Sequence, residues 1–175
     1  MSGQTVVGYD RNPDYDTLIN TDLQAQMDNV NPTAYVRVPF TVASTAGLSG
    51  LFLRMKFDDG FIVYLNGTVV ASENAPASPA GDSASTGDHN DAAAVIFDEY
   101  DLSSSVGLLR NGQNVLAIHG LNTGLTSSDF LVLPELDAYA GGTLDRNTKL
   151  YFERSSPGLG NLPGYPGIAG KPAFS

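Results

Sequence analysis

Polar and apolar residues alternate with a period of two through much of this chain, the spacing of a half-buried β-strand. In "YVRVPFTV" Val36, Val38, Phe40 and Val42 fall on one side, and Tyr35, Arg37 and Thr41 on the other. Pro39 interrupts the run. It has no N–H to give to a ladder, so this strand is expected at a sheet edge or a bulge. "LFLRMKF" repeats the alternation, with Leu51, Leu53, Met55 and Phe57 inward and Arg54 and Lys56 outward. "GFIVYLNGTVVAS" follows. Asn66-Gly67 is the preferred pair for a type I′ turn, whose central residues both need positive φ, so 61–65 and 68–72 are predicted to form a hairpin. "AVIFDEYDL", a second Asn-Gly turn at Asn111-Gly112 leading into 114–119, "FLVLPEL" and "KLYFE" supply further strands.

Near the N-terminus the period changes. Ile19, Leu23 and Met27 recur at helical spacing, and Thr21 and Gln24 are spaced as a capping box, which predicts one short helix over 22–28. "ENAPASPAGDSASTGDHNDAAA" reads as a long polar loop, and loops of this length are usually functional or mobile. From Ser155 the chain is rich in Pro and Gly without periodicity, as in a linker or a packed tail. The expected organisation is a β-sandwich module over 1–154 and a tail over 155–175. The fold class is all-β, a sandwich or jelly roll of about eight strands.

Composition narrows the function. The chain has 175 residues, enough for one domain with an ordinary core. Its 19 acidic and 9 basic residues leave a net charge of −10, so it has no electrostatic attraction for nucleic acid or for an anionic membrane. No cysteine is present, which excludes disulfides, thiolate metal sites and a Cys nucleophile. No apolar run approaches the roughly 18 residues of a membrane span. "MSGQTVV" has neither the basic start nor the apolar stretch of a signal peptide, so an exported protein would carry its leader outside this stretch.

Three longer stretches carry a family likeness: "LRMKFDDGFIVYLNGTVVASENAP", "NGQNVLAIHGLN" and "SSDFLVLPEL". Together they resemble the galactose-binding-like β-sandwich modules of large secreted bacterial proteins, which sit beside lamin-tail, spore-coat-kinase-like or hydrolase domains. "VGYDRNPDYDTLINTDLQAQM", "YVRVPFTV" and "LYFERSSPGLGN" extend the resemblance over 7–161. The resemblance implies a jelly-roll fold, an extracellular or cell-surface location, neighbouring domains in a parent protein, and a non-catalytic module that binds polysaccharide or another glycan. Such folds also serve as structural or adhesion spacers without a small ligand, and that alternative stays open. One departure is visible: where the family often has an aromatic residue after "NAP", this chain reads "ASPAGDSAS", and it has no Trp.

Several clusters are candidates for chemistry. Asp10, Asn12, Asp14 and Asp16 alternate like the opening of a calcium loop. Tyr15 stands where an EF-hand needs Gly and Thr21 where it needs Glu, so the choice is between another kind of Ca2+ site and a turn-rich loop. Asp58 and Asp59 repel each other unless a cation or donors relieve them; neighbours on a strand point to opposite faces, so the alternative is that one caps a tight turn and the other is solvated. Asp88, His89, Asn90 and Asp91 offer oxygen and nitrogen groups for sugar hydroxyls or calcium, or simply form a solvated loop. His119 and Asn122 precede Ser127, Ser128 and Asp129, the letters of a catalytic triad. No nucleophile elbow accompanies them, and no enzyme is expected. Tyr35, Arg37, Arg54, Lys56 and Tyr64 would line one exposed face if their strands are neighbours. That face would suit an acidic or neutral polysaccharide, or would be the ordinary polar side of a half-buried sheet. Asn66-Gly67-Thr68 matches a glycosylation sequon, but the hairpin already explains these residues.

Overall fold

The alternating strands bury their apolar sides between two facing sheets. The computed structural model describes residues 6–12, 15–141 and the backbone of 150–151. Ten strands occur among them: β1 (Val7–Asp10), β2 (Thr21–Asp22), β3 (Thr33–Val42), β4 (Leu48–Asp58), β5 (Gly60–Leu65), β6 (Thr68–Glu73), β7 (Asp98–Asp101), β8 (Gly112–Leu121), β9 (Asp129–Ala140) and β10 (Leu150–Tyr151). The first sheet runs β2-β1-β9-β4-β7, with β10 also paired to β9; the second runs β3-β8-β5-β6. Without the two-residue β2 and β10, eight antiparallel strands remain, in the orders β1-β9-β4-β7 and β3-β8-β5-β6. Of the connections between these eight, only the β5–β6 hairpin stays within one sheet. That is jelly-roll connectivity, and the all-β sandwich expected from the sequence is the fold.

The local expectations mostly hold. Val42 and Phe40 of β3 and Leu51, Leu53, Met55 and Phe57 of β4 lie in one core with Val63, Leu65, Ile118 and Phe130. Burying each such side chain contributes about 1.5–3 kcal/mol. Asn66 and Gly67 have φ of 51° and 90°, as a type I′ turn requires. β3 is an edge strand, which accommodates Pro39. Gly120 faces the opposite sheet so closely that a Cβ there would sit 2.5 Å from Phe130 Cζ.

The N-terminal helix is shorter than predicted: α1 is Gln24–Met27. Thr21 does not cap it. Thr21 pairs with Val7 in a parallel bridge, and the Asp22 carboxylate accepts from Gln24 N–H at 2.8 Å instead. β1 was not predicted, because four residues are too few to show alternation. A 3₁₀ helix (Ser103–Leu108) and the one-turn α2 (Asp91–Ala94) were also unforeseen. The β1–β2 loop and α2 cover part of the first sheet's outer face, where Val6, Tyr15, Ala94 and Leu131 form a second apolar cluster. The 155–175 tail and its boundary lie outside the described residues.

Candidate functional site

The second sheet presents an outward face built on β8, which lies between β3 and β5. Register places Tyr35, His119 and Ile62 in one row across these strands, and Arg37, Ala117 and Tyr64 in the next. Val69 of β6 extends the second row. Tyr35 is 64% exposed, and its ring stacks on His119 with centroids 4.3 Å apart and planes 23° from parallel. His119 itself is buried, and its Nε2 has no hydrogen-bond partner among the described residues. Burial holds the imidazole pKa below its usual value, so the ring is neutral at neutral pH. Arg37 is exposed and makes no hydrogen bond or ion pair among the described residues. Small Ala117 leaves a shallow floor between Arg37 and Tyr64, whose strands lie about 10 Å apart across β8.

Of the five residues expected on one sheet face, Tyr35, Arg37 and Tyr64 share it, and His119 joins them. Arg54 and Lys56 do not, because β4 belongs to the other sheet. Their strand ends where the chain crosses between sheets at Asp58-Asp59-Gly60. Arg54 Nη1 instead lies 2.6 Å from Glu135 Oε2. Its guanidinium and the Lys56 ammonium sit 4.2 and 4.9 Å from the Phe97 ring centre.

The Asp88–Asp91 loop is held by its own residues. His89 stacks on Phe57 at 4.2 Å, and its Nδ1 lies 2.8 Å from the Phe57 carbonyl oxygen. A carbonyl only accepts, so Nδ1 carries the proton. Its Nε2 is 3.8 Å from Asp98 Oδ2. Asn90 caps α2 by accepting from Ala92 N–H at 3.1 Å. Asp88 and Asp91 are exposed.

The acidic candidates separate into two groups. Asp10 accepts from the N–H groups of Asn12 at 2.7 Å and Tyr15 at 2.6 Å, which folds the loop around its own carboxylate. Asn12 and Asp16 are exposed, and Asp14 lies outside the described residues. Asp58 and Asp59 are both buried. Asp59 accepts from His89 N–H at 3.0 Å and Thr123 N–H at 2.8 Å. Asp58 accepts from the Tyr15 hydroxyl at 3.1 Å. Burial first, then the hydrogen bond with and the charge of Asp59, with Asp129 adding to both effects, push the Asp58 pKa up to about 10. Asp58 therefore keeps its proton at neutral pH and can donate to its carboxylate neighbours. Burial also raises Asp129, and burial followed by the charge of Asp58 raises Tyr15. Among the described residues, no group of three or more His, Asp or Glu is placed to hold a metal ion.

Nearby, Asn122 Nδ2 donates to the Asp129 carbonyl at 2.7 Å and to the Tyr9 hydroxyl at 3.1 Å, while its Oδ1 has no partner among the described residues. Burial and then the charge of Asp28 raise Tyr9 to about 12. Ser127 and Ser128 reach Asp129 at 3.5 and 3.4 Å. His119 faces outward from the second sheet and Asp129 outward from the first, so the triad letters do not converge. The sequence reading missed the Tyr15–Asp58–Asp129 grouping. Its one available signal was the tyrosine standing where a calcium loop needs glycine.

No protein-family model matches the chain, and no curated protein matches it. Among solved structures, the native alfa-L-rhamnosidase from Aspergillus terreus is similar, with 15% identity and a TM-score of 0.39. The match covers 70% of this chain and 14% of that enzyme, so this chain spans a small fraction of its length.

Proposed function

We propose that this domain binds carbohydrate without catalysis, as an accessory module of a larger extracellular protein, and that the outer face of the four-stranded sheet is its binding surface. The observation that carries this reading is the exposed Tyr35 ring, held flat against His119 beside Arg37 and Tyr64. A sugar ring has an apolar face of C–H groups and a rim of hydroxyls. A rigid aromatic plane buries the first, and guanidinium or phenol groups hydrogen-bond the second. The stack fixes Tyr35 in advance, so little side-chain entropy is lost on binding. The motif resemblance to sandwich modules of secreted proteins supports the same reading.

The test is retention on a panel of soluble and insoluble polysaccharides by affinity electrophoresis and pull-down. The expected result is retention of the wild type and at least about tenfold weaker binding by Tyr35→Ala, the loss typical of a central aromatic anchor. Tyr35 is exposed, so the variant should keep the wild-type melting temperature. Retention on no polysaccharide would overturn the proposal in favour of a spacer.

A further inference from the structure

We infer that the glycan bound at this face is acidic, and that Arg37 receives the carboxylate of a uronic acid residue. The inference rests on the carbohydrate reading above and adds the chemical class of the ligand. It comes from the distribution of charge. The chain carries 19 acidic residues, yet no outward position of β3, β8 or β5 is Asp or Glu. His119 is neutral there, so Arg37 is the one full charge among those positions. The other sheet handles its arginine differently: Arg54 is neutralised by Glu135 on the neighbouring strand. Among the described residues, Arg37 has no partner for its fork of N–H donors and no acid beside it on this face, and the fork matches a carboxylate through two parallel hydrogen bonds.

Position fits the same ligand. Tyr35 and Arg37 are two residues apart on one strand, so their side chains share a face about 7 Å apart. A pyranose stacked on Tyr35 brings a substituent of its ring, or of the next ring, to the guanidinium. Ala117, opposite Arg37 in the register, leaves room beside it. Neutral sugars would also stack on Tyr35, but their hydroxyls would leave the arginine's charge unmatched.

Polygalacturonate and its fully methyl-esterified form make a matched pair, with the same backbone with and without charge. Binding is measured by titration calorimetry at physiological salt for the wild type, Arg37→Gln and Tyr35→Ala. The expected result is at least about tenfold preference of the wild type for the acidic polymer, and loss of that preference in Arg37→Gln. Tyr35→Ala should weaken binding to both polymers. Equal wild-type affinity for the two polymers, or an unchanged preference in Arg37→Gln, overturns the inference. Binding to neutral polysaccharides that needs Tyr35 but not Arg37 also overturns it while the carbohydrate reading stands. Retention of no polysaccharide at all removes both.

Discussion

Asp58 shows how much one buried carboxyl can bias a fold. Its native pKa of about 10 lies far above the ordinary 3.8. Between those values the folded protein holds a proton that the unfolded chain has released. The contribution is fully present below about pH 4 and is lost as pH rises through about 10, with a slope of at most about 1.4 kcal/mol per pH unit. Urea unfolding at pH 6, 7.5 and 9 should therefore show falling stability, and Asp58→Asn should flatten the trend, since an amide stays neutral. A parallel slope in wild type and variant would refute this. The acidic stretches also suggested a structural calcium, which predicts the opposite behaviour. A cation on these carboxylates would bind more tightly as they deprotonate, and chelator would lower the melting temperature. An unchanged melting temperature with chelator, together with the fall in stability at high pH, would favour the proton on Asp58, and a lowered one would favour the cation. Sequence adjacency flagged Asp58 and Asp59, but strand alternation placed them on opposite faces. Both are buried because Asp58 ends β4 and Asp59 lies in the crossover to the second sheet. The partners Tyr15 and Asp129 come from distant segments, which no local pattern reveals.

Elements with strong local signals were legible and the others were not. The β5–β6 hairpin follows from Asn66-Gly67, and β3, β4 and β8 from alternation. The 3₁₀ helix and α2 depend on neighbours, and β1 exists because β9 pairs with it. One tie between elements was invisible in the sequence. Asn114 accepts from Arg110 N–H at 2.9 Å and Asn66 Nδ2 at 2.8 Å, and donates to the carbonyls of Arg110 and Gly112 at 2.8 and 3.0 Å. Asn66 in turn donates to Leu108 O and accepts from Val115 N–H. One buried amide thus joins the two Asn-Gly turns. Asn114→Ala would leave several of these groups unpaired and is expected to cost about 3 kcal/mol or more, read from the urea midpoint. A loss below about 1 kcal/mol would mean that water replaces the amide.

The fold class followed from strand count and punctuation, but the pairing order did not. Jelly-roll neighbours such as β3 and β8 are far apart in sequence, and alternation says which side a residue faces without saying which strand lies next to it. Among the described residues, the ten-residue β3 is the last strand of its sheet. Long edges invite pairing between molecules unless charge or proline blocks them. Arg37 and Pro39 sit on this edge, and β7 at the end of the other sheet is the short, acidic "DEYD". Pro39→Val is expected to raise self-association in light scattering at high protein concentration; unchanged scattering would show that other features guard the edge. A further consequence follows from β9. β4 occupies one of its edges, so β1 and β10 share the other, with Tyr151 opposite Asp137 and Val7 opposite Val132. The start of β1 and the end of β10 are thus only roughly 17 Å apart along that strand. The two ends of the described fold thus hang on a single strand, so loosening β9 would release both at once.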